Sequence, residues 1–335
     1  MRIGINGFGR IGRLILRVGS NEKELEFVAV NDITDAKTLA HLLKYDSVHG
    51  TLKEEVQSTD NSIIFAGKEI KVFSEKEPKN LRWQDWGVDF VIEASGKFTK
   101  YDDCLLHINN GAKRVIITAP PKDKEKVKSI VMGVNENIYN PKEDHIISCA
   151  SCTTNCVVPV AKVIHDNFRI KKGYMTTIHA YTNDQRILDA PHKDLRRARA
   201  CSLSMIPTST GAAKLIGVVY PELKGKIDGI SIRVPVADVS LVDLTCEVEK
   251  ETDKEEVNSA FLVACAGPMK RYIQYVTEPL VSSDFIGSPY SAIFDSELTT
   301  VIDRTLVKVF AWYDNEWGYA CRVIDFLKYI IGREK

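Results

Sequence analysis

Arg2-Ile3-Gly4-Ile5-Asn6-Gly7-Phe8-Gly9-Arg10-Ile11-Gly12-Arg13 lies at the start of the chain, directly after Met1. Its first five residues read as a strand, and a helical pattern covers Gly9–Val18. Between them the glycines at 7, 9 and 12 spell G-x-G-x-x-G. A second strand pattern, Glu26–Asn31, runs into Asp32, which follows Gly12 by 20 residues. The glycine pattern alone is weak, and a ligand-free glycine-rich turn would also produce it. A strand before it, a helix after it and an acid at this distance make it a dinucleotide-binding fingerprint. Gly7 allows the tight turn, Gly9 lets a pyrophosphate approach the backbone, and Gly12 lets helix and strand pack closely. The phosphates would sit at the positive end of the helix. Asp32 would accept from the adenosine ribose hydroxyls and repel a 2′-phosphate, which favours NAD over NADP.

Outward from this stretch, strand patterns follow at Asp89–Glu93, Arg114–Thr118, Ser129–Gly133 and His145–Ser148, with helical patterns at Thr34–Lys44 and Tyr101–Asn109. Such alternation predicts βαβ units and a parallel sheet. After about residue 150 the texture changes. A helical run, Ser151–Asp166, precedes β-rich stretches at Tyr174–Thr182, Lys226–Ala237, Val239–Lys250 and Leu306–Tyr313. An amphipathic stretch, Trp317–Ile331, ends the pattern. The pattern predicts a dinucleotide-binding domain with a parallel sheet, followed by a second domain with an antiparallel or mixed sheet. The terminal helical stretch could pack back on either domain.

The bulk numbers agree with an enzyme of this kind. A chain of 335 residues is long enough for two domains, and 44% hydrophobic with 27% charged is ordinary globular composition. Forty-five basic residues balance 45 acidic ones, so charge gives no case for nucleic acid or an anionic membrane. No apolar run reaches the ~20 residues of a membrane span. No signal-peptide pattern precedes the first strand. The eight cysteines are expected to be free thiols in a cytoplasmic protein.

Three of those cysteines crowd into Cys149-Ala150-Ser151-Cys152-Thr153-Thr154-Asn155-Cys156. The run could be a redox pair, a metal site, a nucleophile or buried thiols. Structural zinc wants four ligands, usually in two spaced pairs, and no second C-x-x-C exists, so no metal is expected. A thioredoxin-like C-x-x-C enzyme would lack the dinucleotide fingerprint. Ser151 is a good helix cap, which places Cys152 in a first helical turn where backbone N–H groups should lower its pKa. Cys156, one turn on, should pack in the core. A nucleophilic cysteine needs a base. His179, in Thr176-Thr177-Ile178-His179-Ala180-Tyr181-Thr182, is the candidate, although pattern alone leaves it equally a structural histidine.

Taken together, several blocks resemble the phosphorylating glyceraldehyde-3-phosphate dehydrogenase family. They are Asn6–Arg13, Ala150-Ser151-Cys152-Thr153-Thr154-Asn155-Cys156, His179-Ala180-Tyr181-Thr182-Asn183-Asp184-Gln185, Ser209-Thr210-Gly211-Ala212-Ala213-Lys214, Arg233-Val234-Pro235 and Trp312–Tyr319. They run in the family's order from the first strand to the last helix, and the Ser-Cys-Thr-Thr-Asn-Cys block is highly specific. The resemblance implies Cys152 as nucleophile and His179 as its base. It assigns Ser151, Thr153, Arg197, Thr210 and Gly211 to one phosphate position and Thr182 and Arg233 to the other. Arg10, Ile11, Asp32, Lys76, Thr118 and Asn315 fall at NAD-contacting positions, with Asn315 orienting the nicotinamide amide. It implies an α/β Rossmann NAD-binding domain over 1–151 with the C-terminal helix, 316–335, packing back on it, and an α+β catalytic domain with a mostly antiparallel sheet over 152–315. It also implies glyceraldehyde 3-phosphate and inorganic phosphate as substrates, a Cys thioester intermediate, a role in glycolysis or gluconeogenesis, and a homotetramer. Erythrose-4-phosphate dehydrogenase, which releases its acyl group to water, is the runner-up on the same fold. A non-catalytic NAD-binding interaction protein is a reading from another class, opposed by the intact Cys152 and His179.

Three positions depart from the family's usual pattern. Lys76 stands where Arg is frequent. Cys149 stands where Asn is usual, either as a tolerated small residue or as a resolving thiol for oxidised Cys152. Ala190 stands before Pro191 where NAD-specific members carry a bulkier Leu. Asp32 and Ala190 together predict NAD preferred with measurable NADP turnover.

Overall fold

In the computed structural model, which describes residues 1–334, the chain divides into two compact units. One comprises residues 1–130, 137–150 and the stretch from Ala320 onward; the other comprises 131–136 and 151–319. The break falls one residue before the expected one, and the short segment 131–136 groups with the second unit. Lys335, the last residue of the expected C-terminal helix, lies outside the described residues.

The first unit is built on a nine-stranded sheet. Its parallel part runs Lys128–Ser129, Ile146–Ser148, Arg114–Ile117, Phe90–Glu93, Arg2–Asn6, Glu26–Asn31, Lys68–Phe73. The central strands are short, largely apolar runs, and Phe90–Glu93 is buried at every residue, as strands of a parallel sheet covered on both faces require; Lys68–Phe73, near the edge, keeps exposed residues. Arg2–Asn6 lies between Glu26–Asn31 and Phe90–Glu93. The chain therefore leaves the first strand to one side and returns on the other. That makes a topological switch point at the end of Arg2–Asn6, where ligands of such sheets bind. The helices Arg10–Gly19, Ala36–Lys44 and Tyr101–Asn109 connect the strands. The C-terminal helix, Trp317–Glu334, enters this unit from Ala320 and packs back on it. Ile324 lies so close to Gly19 that a Cβ there would be 2.7 Å from it, and Lys328 pairs with Glu22 at 2.8 Å.

Two local features differ from the sequence reading. The expected strand Ser129–Gly133 ends at Ser129. Beyond it a turn closes with the Val131 N–H donating to Asn135 Oδ1 at 2.8 Å, and Gly133 takes φ +84°. A meander of Val56–Ser58, Ser62–Phe65 and Lys68–Phe73 extends the sheet and was not expected. Its tight turn puts Ala66 at φ 49° and Gly67 at φ 76°, the positive pair of a primed hairpin turn.

The second unit holds a seven-stranded sheet in the order Ile206–Ser209, Ile227–Val234, Ile170–Ala180, Ser240–Val248, Leu306–Tyr313, Ala292–Ile302, Ile273–Val276. Four of its six pairings are antiparallel, which gives the mostly antiparallel sheet expected. Ser240–Val248 buries alternate residues, as a sheet with one covered face does. The helix Cys152–Phe168 packs on that sheet and against the helices Ala212–Val219 and Lys254–Ala266. Among the described residues no helix is long and apolar enough to cross a membrane.

Candidate active site

Cys152 is the first residue of its helix. Ser151 caps the helix: its Oγ accepts from the Thr154 N–H at 3.1 Å, and Thr154 Oγ1 lies 2.7 Å away. Cys152 Sγ stands 3.6 Å from His179 Nε2. His179 comes from the end of Ile170–Ala180 and lies in register beside Arg233 of Ile227–Val234. The helix start and the ends of two parallel strands thus bring together a thiol, an imidazole and a guanidinium far apart in sequence.

Their electrostatics differ from the sequence expectation in one respect. Burial is the largest influence on Cys152 and pushes its thiol up, against the Arg233 charge and the Thr153 hydroxyl and N–H, which pull it down. The expected lowering is therefore outweighed, because desolvation depends on everything packed around the sulfur and not on the helix start alone. Burial, then the Arg233 charge, drives His179 down to about 3, so the resting ring is neutral. His179 Nδ1 lies 2.7 Å from the Ala180 carbonyl oxygen and 2.9 Å from Arg233 Nη1, which also lies 3.2 Å from that oxygen. Each contact selects a tautomer. With Nδ1–H donating to Ala180 O, the Nε2 lone pair faces the sulfur as a base. With Nδ1 accepting from Arg233, Nε2–H faces it as a donor to a thiolate.

Several functional side chains were missed by sequence reasoning. Tyr313 OH is 2.8 Å from Thr153 Oγ1 and 2.8 Å from Thr177 Oγ1, and its ring meets His179 edge-on. It ties the first helical turn to the strand that carries the base. Ser240 Oγ accepts from the Ala180 N–H at 3.1 Å and donates to Asn315 Oδ1 at 2.7 Å. Nothing in local pattern marks a single hydroxyl whose partners lie 60 and 75 residues away. Cys156 packs in the core as expected. Cys149 is 3% exposed, and burial pushes its thiol well up. A protonated, buried thiol is a poor resolving nucleophile, so packing is the better account of it.

The phosphate candidates fall into separate groups. Arg197 Nη1 donates to Asp184 Oδ2 at 2.5 Å, Nε to Thr208 Oγ1 at 3.0 Å and Nη2 to the Ser209 carbonyl at 3.3 Å. With Asp184, Arg186, His192 and Lys193 it lines an open cavity of about 680 Å³. Thr210 Oγ1 accepts from the Ala212 N–H at 3.2 Å, and Gly211 caps the helix Ala212–Val219. A Cβ on Gly211 would meet nothing within 4 Å, so this helix start faces open space. The Thr182 N–H donates to Gln185 Oε1 at 3.2 Å. The Thr153 side chain is turned to Tyr313 and Cys152, and its N–H also faces the Cys152 sulfur.

In the first unit the glycine loop has the geometry of a nucleotide cradle. Gly7 takes φ +91°, and a Cβ on it would be 2.4 Å from the Ser95 nitrogen. A Cβ on Gly12 would be 2.3 Å from the Gly7 carbonyl oxygen, whereas one on Gly9 would meet nothing within 4 Å. The first and third glycines are thus required by packing, and the second leaves room for a ligand. Asp32 accepts from the Phe8 N–H at 2.8 Å and from its neighbour Ile33 at 2.7 Å, which fixes its carboxylate at the end of the second strand. These residues fit a bound dinucleotide. Arg10 forks onto Asp46 at 3.1 and 3.2 Å, so its side chain braces the loop, and Ile11 follows it in the first helical turn. Thr118 donates its N–H to the Glu93 carbonyl at 3.0 Å, and Lys76 is exposed.

Comparison with known proteins agrees with this geometry. Residues 1–101 match the family model described as the glyceraldehyde 3-phosphate dehydrogenase NAD binding domain, and residues 151–315 match the C-terminal domain of the same family. The chain is 55% identical over 333 residues to the glyceraldehyde-3-phosphate dehydrogenase of Geobacillus stearothermophilus, covering 99% of both chains. It is 54% identical over 332 residues to glyceraldehyde-3-phosphate dehydrogenase 1 of Bacillus cereus, again covering 99% of each. Glyceraldehyde-3-phosphate dehydrogenase 2 of Streptomyces avermitilis is 54% identical over 331 residues, 98% of each chain. A dinucleotide cradle in the first unit, a thiol facing a neutral imidazole in the second, and similarity along nearly the whole length lead to one conclusion: the chain belongs to the glyceraldehyde-3-phosphate dehydrogenase family.

Proposed function

We propose that the chain catalyses the NAD-dependent, reversible oxidation and phosphorylation of D-glyceraldehyde 3-phosphate to 1,3-bisphosphoglycerate. The observation that carries this reading is the 3.6 Å approach of Cys152 Sγ to His179 Nε2 at a helix start. His179 Nε2 takes the thiol proton as the sulfur bonds to the aldehyde carbon and returns it to the former carbonyl oxygen, giving a hemithioacetal on Cys152 and leaving the ring neutral again. Bound NAD, held by Gly7, Gly9, Arg10, Ile11, Gly12, Asp32, Lys76, Thr118 and Asn315, would supply the hydride acceptor. His179 takes the hydroxyl proton as that carbon reaches the acyl level, leaving a thioester. A phosphate oxygen then bonds to the thioester carbon, the C–S bond breaks, and the thiolate is regenerated beside Arg233. Backbone N–H groups of the first helical turn are placed to stabilise the oxyanion at each stage.

Two anions must be held at once, which calls for guanidinium forks and N–H donors and not for an apolar pocket. Ser151, Thr153, Arg197, Thr210 and Gly211 serve one phosphate, and Thr182 and Arg233 the other. The exposed, small Ala190 together with Asp32 supports NAD preferred with measurable NADP turnover. The working form is a cytoplasmic homotetramer. The test is nicotinamide reduction with and without inorganic phosphate, using NAD and then NADP. Phosphate-dependent turnover favouring NAD is expected. Turnover that ignores phosphate, or occurs only with erythrose 4-phosphate, would overturn the phosphorylating reading.

A further inference from the structure

Asn315 sits in a short segment whose backbone is already pinned. The Asp314 carboxylate accepts from the Glu316 N–H at 2.9 Å, the Trp317 N–H at 2.6 Å and the Gly287 N–H at 2.7 Å. What remains to be set is which end of the Asn315 amide faces outward. Ser240 faces that amide. It is 1% exposed, and its hydroxyl lies between the Ala180 N–H and Asn315 Oδ1. The Ala180 amide can only donate, so Ser240 Oγ accepts there, and the hydroxyl hydrogen has Asn315 Oδ1 as its acceptor. Turning the Asn315 amide over would bring two donors to one oxygen and leave the hydroxyl hydrogen without that acceptor in a dry site. The hydroxyl thus holds Oδ1 inward and directs the NH₂ group away from Ser240.

The backbone beside Ser240 points the same way. Val239 takes φ +65°, a left-handed conformation that a β-branched residue adopts only at a cost. Val239 is itself buried and packs in an apolar cluster with Val276, Phe285 and Ile293. The surrounding fold holds this strained bend, and its consequence is the placement of the Ser240 hydroxyl at the head of its strand. The same hydroxyl bonds Ala180, whose carbonyl receives His179 Nδ1. One side chain therefore links the peptide that orients the base to the amide of Asn315.

We infer that Ser240 is a positioning residue that fixes the Asn315 amide for the nicotinamide carboxamide and registers it to the His179 peptide. This rests on the reading that Asn315 binds that carboxamide. The test compares the affinities of NAD and of ADP-ribose, which lacks the nicotinamide, by calorimetry in the parent, Asn315→Ala, Ser240→Ala and Ser240→Cys; the two Ser240 variants ensure a folded one, checked by circular dichroism. The ratio of the ADP-ribose to the NAD dissociation constant isolates the nicotinamide half. Asn315→Ala should lower that ratio about tenfold, and Ser240→Ala by about fivefold to tenfold, the loss of one buried hydrogen bond, with ADP-ribose binding unchanged. Ser240→Cys, a weak donor of similar shape, should fall between parent and Ser240→Ala. If Asn315→Ala lowers the ratio and the folded Ser240 variants do not, the role given to Ser240 is wrong. If Asn315→Ala leaves the ratio unchanged, the reading of Asn315 fails, and this inference with it.

Discussion

Cys152 and His179 form the smallest unit that can be tested. Because burial holds the thiol protonated and the ring neutral, the sulfur depends on Nε2 to lose its proton. His179→Asn should slow iodoacetamide alkylation of Cys152 at neutral pH and lower kcat by about 10²–10⁴, while circular dichroism stays unchanged; alkylation at the parent rate would contradict the assignment. Arg233→Lys keeps a charge but loses the planar fork. It should lower kcat/KM for phosphate at least about tenfold, measured by varying phosphate at saturating aldehyde. Cys152 was legible in its helix-start pattern, whereas His179 was singled out, and Arg233 reached at all, only through the family resemblance. Tyr313, Thr177 and Ser240 were not, because their roles come from hydrogen bonds made across the sheet. The direction of the Cys152 shift was misread for the same reason: a helix start is local, whereas desolvation is not.

At the scale of elements, the glycine loop separates packing from binding. Gly7→Ala meets both a positive φ and the Ser95 backbone, and should destabilise by about 2 kcal/mol or more in a denaturant titration. Gly9→Ala has open space and negative φ. Its stability should change by less than about 0.5 kcal/mol while NAD affinity falls, so equal effects of the two changes would refute the division. The Arg10–Asp46 brace has a pH signature. Burial alone would raise Asp46, but the N–H groups of His49 and Val48 and the Arg10 guanidinium outweigh it and hold it at about 2. A carboxylate lowered on folding adds stability above its unfolded pKa of about 3.9, and that contribution is lost as pH falls toward 2. Asp46→Asn should flatten stability between about pH 4 and 2 relative to the parent; an unchanged acid limb would count against the brace. Arg2–Asn6, Tyr101–Asn109 and Leu306–Tyr313 appear at the residues read from sequence. The helix Lys254–Ala266 was missed because it buries only Val257 and Phe261, too few for a clear period. Its cap, Asp253 accepting from Glu256, was visible as an acid followed three residues later by Glu.

The whole chain is an NAD-linked dehydrogenase of its family with no net charge, so binding should owe little to long-range steering and depend weakly on salt. NAD at 100 times its dissociation constant should stabilise the folded protein by about 2.7 kcal/mol, and NADP at the same concentration by less; equal thermal shifts would contradict the discrimination given to Asp32. The central claim is that oxidation leaves an acyl group on Cys152 which only phosphate removes efficiently. The most direct measurement mixes the enzyme with NAD and glyceraldehyde 3-phosphate in the absence of phosphate and follows both the nicotinamide burst and the intact mass. The account predicts one equivalent of reduced cofactor per active site, a phosphoglyceroyl group on the peptide containing Cys152, and rapid release of that group when phosphate is added. Sustained turnover without phosphate, or a burst that leaves Cys152 unmodified, would contradict it.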